Sequence, residues 1–353
     1  MGATGGAGRR LGVALASLLL CAAAAEIAAR AFWAAAFGVP PLAPDRILEA
    51  WYPKLARAES AAPSRDNGIF DVLLLGGSVL HPRWGRVPQE LRRQLDDAGV
   101  GERRIFDLGE IAQTSRDSLL KYEALGDARF DLVVLYHGIN ETRANNAPAD
   151  LFRPDYAHYE WYEMLNAMAP HHGASRLALP YTLEYAALRL RQLSSAERYV
   201  PLHRPNEAWL AHGSTLRSAD ALRANLAAIL AMARERGDPV LLMTFALHVP
   251  DDYSAEAFAA KHLDYTRHVT PLERWGLPEN VVAGVRAHNS VVRSLGEAGK
   301  AAFFVDQARL MPRGAGSFDD ACHLTPEGSR RFVELLLAPV LAEQGRTGRA
   351  GPS

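Results

Sequence analysis

Cysteine is almost absent from this sequence: Cys21 and Cys322 are the only two in 353 residues. A disulfide scaffold and a four-cysteine zinc site are therefore excluded. An excess of charge of one sign is missing too. Lys and Arg total 39 against 40 for Asp and Glu, a formal net charge of −1. That excludes a nucleic-acid surface working by bulk basicity, and it excludes a strongly charged disordered chain. Several catalytic and cofactor motifs are also lacking. There is no Gly-x-Ser-x-Gly elbow, no phosphate-binding Gly-rich loop, no dinucleotide fingerprint and no His-Glu-x-x-His. Neither an internal repeat nor a low-complexity tract is present. What the chain does have is apolar material, 48% of its residues, enough for a sizeable core.

That material is unevenly spread. Leu11 to Ala25 runs fifteen residues without a charge, after Arg9 and Arg10. Fifteen is short of the roughly 20 that a membrane span needs. A helix from Leu11 to about Phe37 is long enough if Glu26 and Arg30, four residues apart on one helical face, pair. The segment 1–40 is read as a signal anchor or transmembrane segment. The arginine pair keeps its N-terminal side in the cytoplasm, and the remainder is exported to the periplasm or cell exterior. The alternatives are a secreted protein, cut at the small residues Ala22 to Ala25, and a buried Ala-rich helix. A lipoprotein is disfavoured by the bulky Leu20 before Cys21.

Prolines 40, 41, 44, 53 and 63 mark 41–67 as a linker. Beyond it the pattern becomes α/β. Phe70 to Leu75, Ile105 to Leu108, Phe130 to Tyr136, Val240 to Phe245 and Ala301 to Val305 are short apolar runs of strand length. Their lack of alternation suits strands buried on both faces. Helices are expected over Val87 to Leu95, Ser115 to Leu125, Leu183 to Leu193, Ala219 to Arg236, Val281 to Leu295 and Pro326 to Leu341. Gly237 stops the fourth of these, and Thr325 caps the last. The expected fold is a three-layer α/β/α sandwich around a five-stranded, mostly parallel sheet, flavodoxin-like in class. One domain, 68–345, carries two irregular insertions, 145–212 and 251–277. A disordered tail is expected at 346–353.

Chemistry collects at the expected strand ends, where open α/β sheets bind their ligands. Ser78 follows the first strand, Gly109 the second, and Gly138 and Asn140 the third. Asp320 and His323 precede the closing helix. A serine hydroxyl needs an adjacent base, which His323 can supply, and Asp320 can hold that imidazole in the right tautomer. The backbone N–H groups of Ser78 and Gly109 and the side-chain amide of Asn140 can face a developing oxyanion. His137 is a candidate substrate-binding residue. His171 and His172 have no third residue at ligand spacing, so no metal is assigned and no cofactor is required. Tyr156 to Tyr162 is either a substrate wall or a small local core. Cys322 reads as a buried filler.

These residues resemble the four blocks of the SGNH hydrolases, the GDSL-type esterases and lipases. Ser78, Gly109, Asn140 and His323 match the four residues for which that family is named, and Asp320 matches its aspartate. The block Asp320 to Gly328 (DACHLTPEG) is close to the usual form. The resemblance covers roughly Phe70 to Leu341. The chain departs from the pattern at Gly77, where aspartate is usual, and at Glu141, also usually aspartate.

The resemblance implies a serine esterase that cleaves acyl or acetyl esters of a lipid or carbohydrate. It implies Ser78, Asp320 and His323 as the triad and Ser78, Gly109 and Asn140 as the oxyanion hole. An O-acyltransferase acting on an exported polysaccharide and a silent binding protein of the same fold are the alternatives. The expected partners are the ester substrate and a membrane, with no nucleic acid.

Overall fold

The computed structural model describes residues 4–194 and 198–346. The tail expected at 346–353 lies, apart from Arg346, outside the described residues. The strands are β1 (Phe70–Gly76), β2 (Arg103–Asp107), β3 (Leu132–Tyr136), β4 (Val240–Met243) and β5 (Phe303–Val305). The first helices are α1 (Thr4–Phe37), α2 (Lys54–Ser60), α3 (Val87–Asp97), α4 (Ser115–Ala124), α5 (Glu160–Met168) and α6 (Leu179–Leu193). They are followed by α7 (Ser218–Arg236), α8 (Ala255–Ala259), α9 (Pro278–Glu297), α10 (Gln307–Leu310) and α11 (Pro326–Arg346).

The chain forms two compact units. One comprises Met1–Ala56 with Met164–Ala196, the other Arg57–Glu163 with Glu197–Ser353. In the first unit, α1 is apolar along most of its length: within Gly8–Phe37 an 18-residue stretch reaches a mean hydropathy of 2.1. At 1.5 Å per residue these 30 residues extend about 45 Å, more than a bilayer core. Leu11, Leu15, Leu18 and Leu19 are each more than half exposed.

The end of α1 is different. Ala29 and Trp33 are buried with Tyr181 and Leu188 of α6. Glu26 and Arg30 do pair, at 2.6 Å. The Glu26 carboxylate also accepts the backbone N–H groups of Ala178 and Leu179, each at 2.8 Å, and so caps the start of α6. Trp33 Nε1 donates to Thr182 Oγ1 at 2.8 Å. Thus part of the stretch expected as an insertion, 164–194, packs with the N-terminal helix. The proline-marked stretch 41–67 also holds structure: Ile47–Ala50 is a 3-10 turn, α2 follows, and Ile47, Leu48, Tyr52 and Leu55 are buried. Its prolines punctuate short helical turns, and the boundary between the two units, Ala56 to Arg57, falls within it.

The second unit is a three-layer α/β/α sandwich. Its five strands are all parallel, in the order β2-β1-β3-β4-β5. Every residue of β1 and β3 is buried, as a sheet covered on both faces requires. Alternate residues serve opposite faces. Val72, Leu74, Val134, Leu241 and Met243 share one cluster with Leu91 and Leu95 of α3 and with Phe332 and Leu336 of α11. The chain runs from β1 to β2 on one side, then returns past β1 to β3. With right-handed crossovers this sets α3 and α4 on opposite faces, and α7 and α9 join α4. The reversal makes β1/β3 the switch point of the sheet, where such folds open a crevice. Gly237, at φ 76°, ends α7 in the left-handed region as read from the sequence.

Candidate active site

Ser78 and Asn140 follow the two strands that flank the switch point. Ser78 opens a 3-10 turn, Ser78–Leu80, so its own N–H has no acceptor within that turn. Gly77 matters here for its missing side chain: a Cβ at that position would stand 2.7 Å from Asn140 Nδ2. A side chain at this position would press on the Asn140 amide in the backbone conformation seen here. At Gly109 a Cβ would come within 2.9 Å of Leu80 Cβ.

The second half of the site lies in the loop before α11. Thr325 Oγ1 accepts the N–H of Gly328 at 2.9 Å and caps that helix. The Asp320 carboxylate is fully buried. It accepts the N–H groups of Cys322, His323 and Thr270, each at 2.9 Å. The same carboxylate lies 2.7 Å from His323 Nδ1. On the far side of that ring, Nε2 is 2.9 Å from Ser78 Oγ. Trp84 covers the imidazole, with ring centroids 4.8 Å apart. These contacts hold the His323 ring in one orientation between hydroxyl and carboxylate.

The expected oxyanion donors are placed less simply. Asn140 Nδ2 donates one hydrogen to Gln113 O at 2.9 Å, leaving its second for the crevice. Its Oδ1 accepts from Trp275 Nε1 at 2.9 Å and Arg143 Nη2 at 2.7 Å. Two donors on the oxygen fix which way the amide faces. They also polarise it, so its N–H becomes a stronger donor. The Gly109 N–H instead donates to Asp107 Oδ1 at 3.0 Å.

Several of these supports escape a reading of the sequence. Trp275 and Thr270 come from the stretch 251–277, and Gln113 and Trp84 from loops without a motif. Arg143 had a signal: it stands three residues after Asn140, one turn along the same 3-10 segment, Ile139–Asn145. Its side chain is buried, and that burial lowers its pKa. Glu141, beside Asn140, is buried too. Burial pushes its carboxyl up to about 7, despite hydrogen bonds from Tyr156 and the Ser115 N–H.

His137 is held by Ser118 Oγ at 2.8 Å. Burial, aided by the Lys121 charge, lowers its pKa to about 3, so the ring is neutral. Cys322 is buried, and burial with the Asp320 charge keeps its thiol protonated. Tyr156, Tyr159 and Tyr162 are buried in a local core, with Tyr162 Oη donating to Asp117 at 2.5 Å. They are not a substrate wall. His171 sits in the first unit, paired with Ser175 at 2.7 Å and Glu184 at 3.0 Å.

A space of about 10 Å³ lies against Gly77, Ser78, His137, Asn140 and Phe245. It is roughly the size of one water.

Strand order and the switch point give the second unit a flavodoxin-like α/β/α fold, and the four sequence blocks that resemble those of the SGNH hydrolases meet on one rim of it. Among solved structures, a GDSL-like lipase from Bacteroides thetaiotaomicron is 15% identical, covering 82% of this chain and 97% of its own, with a TM-score of 0.45. A lipase/acylhydrolase from Enterococcus faecalis is 14% identical, covering 79% and 97%, with a TM-score of 0.37. An acetylxylan esterase from Geobacillus stearothermophilus is 14% identical, covering 76% and 93%, with a TM-score of 0.39. No protein-family model matches the chain. No curated protein matches it either. Likenesses at such identities and TM-scores carry no activity over to this chain.

Proposed function

We propose that the second unit is a serine esterase that removes a short acyl group from an alcohol. The observation that carries this is the continuous chain Ser78 Oγ–His323 Nε2 at 2.9 Å and His323 Nδ1–Asp320 Oδ2 at 2.7 Å. In this reading Ser78 Oγ attacks the ester carbonyl carbon while His323 Nε2 takes the hydroxyl proton. The carbonyl oxygen becomes an anion facing the Ser78 N–H and the free N–H of Asn140. The tetrahedral intermediate collapses, the ester C–O bond breaks, and His323 returns the proton to the leaving alcohol. Water, deprotonated by the same imidazole, then releases the acid and restores Ser78. Asp320 orients the ring and balances its positive charge.

Ser78 is only 8% exposed and the space beside it is small. Both support acetyl or a comparably short acyl group. Gly109 becomes a third donor when its N–H leaves Asp107. His137 shapes the floor of the site as a neutral ring. The long apolar face of α1 supports a membrane anchor, with the esterase unit exported.

The test is hydrolysis of p-nitrophenyl acetate and p-nitrophenyl laurate by the full chain in detergent. Acetate is expected to turn over faster, and Ser78→Ala to abolish turnover. A Ser78→Ala protein with unchanged activity overturns the mechanism. Adding an acceptor sugar distinguishes transfer from hydrolysis: a transferase loses free acetate as acetylated sugar forms.

A further inference from the structure

Beyond the carboxyl ends of β4 and β5 lies a second, larger cavity of about 390 Å³. That volume is typical of a ligand pocket. Four arginines line it: Arg286 and Arg293 from α9, Arg309 from α10, and Arg313 just beyond α10. Arg286 and Arg293 are seven residues apart, two turns along one helical face. Arg293 has a carboxylate partner, Asp306, at 2.9 and 3.0 Å. Among the described residues, Arg286, Arg309 and Arg313 form no ion pair. The chain as a whole carries a charge of −1, so this is a local concentration of cations and not a general basicity. Like charges gathered around one cavity repel, and an anion entering it removes that cost.

The rest of the lining narrows the ligand. Leu247, Val282, Val285 and Phe245 give an apolar floor, and Asp251 adds one carboxylate acceptor. A pyranose ring offers an apolar face to such a floor and hydroxyl donors to Asp251. A carboxylate or phosphate on that ring meets the arginines, which suit bidentate recognition of such groups. A fatty chain has no hydroxyl to offer Asp251.

Phe245 links this cavity to the chemistry. It is stacked on Tyr136 with centroids 4.8 Å apart, and its N–H is fixed by Asn289 Oδ1 at 2.6 Å. The same residue borders the small space at Ser78 and Asn140. One aromatic residue therefore borders both spaces.

We propose that this arginine-lined cavity binds an acidic sugar unit, a uronate or a phosphorylated sugar, of the polymer whose ester is presented to Ser78. The link to turnover rests on the esterase reading; the binding itself does not.

The test is calorimetric titration of the full chain in detergent micelles with trigalacturonate, neutral xylotriose, inorganic phosphate and laurate. Trigalacturonate is expected to bind at least tenfold more tightly than xylotriose and phosphate, and to weaken as salt is raised. The double substitution Arg286→Ala with Arg313→Ala is expected to weaken it at least tenfold. Both side chains are exposed, so the fold tolerates their loss. Arg309→Gln, tested separately, is expected to weaken it in the same direction. Equal binding of trigalacturonate and xylotriose overturns the proposal. So does unchanged binding by the double variant. Phosphate binding as tightly as trigalacturonate reduces the cavity to a bare anion site and refutes the sugar; tighter binding of laurate makes it an acyl site and does the same. Hydrolysis of p-nitrophenyl acetate by the wild-type chain reports on the esterase reading separately.

Discussion

Glu141 should make the second unit less stable as the pH rises through the weakly acidic range. Its carboxyl has an ordinary value of 4.5 and sits at about 7 in the folded chain, raised by burial. Hydrogen bonds from Tyr156 and Ser115 oppose that rise, and the nearby Asp117 adds to it. Between those two values the unfolded chain has released its proton while the folded chain still holds it. Each unit of rising pH therefore favours unfolding by about 1.4 kcal/mol. Over the whole interval the loss is about 3 kcal/mol, complete above pH 7. Glu141→Gln has no proton to lose, and its amide oxygen can still accept from Ser115. Other titrating groups cancel when variant and wild type are compared at the same pH. The measurement is urea unfolding followed by tryptophan fluorescence at half-unit steps from pH 4.5 to 8. The variant should gain about 3 kcal/mol on wild type across that range, roughly 1 M in midpoint at an unchanged slope. A difference that stays flat, or that shrinks as pH rises, refutes the buried, protonated carboxyl.

Asn140→Ala should lower kcat for p-nitrophenyl acetate about 100-fold with little change in KM, the cost of about 3 kcal/mol for one oxyanion donor. Arg143→Met should lower kcat less, since Trp275 still holds the amide oxygen; equal losses would show that Arg143 acts other than through Asn140. Burial keeps His137, His158 and His288 neutral, with pKa values lowered to about 3, 4 and 4. Because the unfolded chain takes up these protons first, stability present above pH 6.5 is lost on acidification, about 2 kcal/mol per histidine by pH 5, read from urea midpoints. Glu26→Ala should cost the first unit about 1–2 kcal/mol by uncapping α6, seen as faster proteolysis near Ala178, while the full chain still sediments with membranes.

The sheet was legible because its strands are short apolar runs without alternation, and such runs fit few positions other than a doubly covered parallel sheet. Gly237 and Thr325 mark helix ends through their own backbone and side-chain chemistry, so local sequence suffices there. The reactive groups were legible for a related reason: each sits at a strand end or helix entry that local pattern already locates. What holds them was not. Trp275 reaches Asn140 from 135 residues away, and Thr270 reaches Asp320 across 50. Neither carries any periodicity, because a single hydrogen bond imposes none. The pairing of α6 with α1 is also invisible locally, since an Ala-rich helix reads as membrane material whether or not its last turns carry Trp33 into a core. At Gly109 the expected N–H is engaged by a side chain only two residues back, a competition that spacing alone cannot reveal.

The cap that Glu26 places on α6 bears on where a mature chain could begin. The small residues Ala22 to Ala25 run directly up to Glu26. A cut after Ala25 would leave Glu26 as residue one, with a free ammonium group on the residue whose carboxylate serves Ala178 and Leu179. That new positive charge would compete with those N–H groups for the same carboxylate. An intact peptide bond at that point spares the cap such a rival.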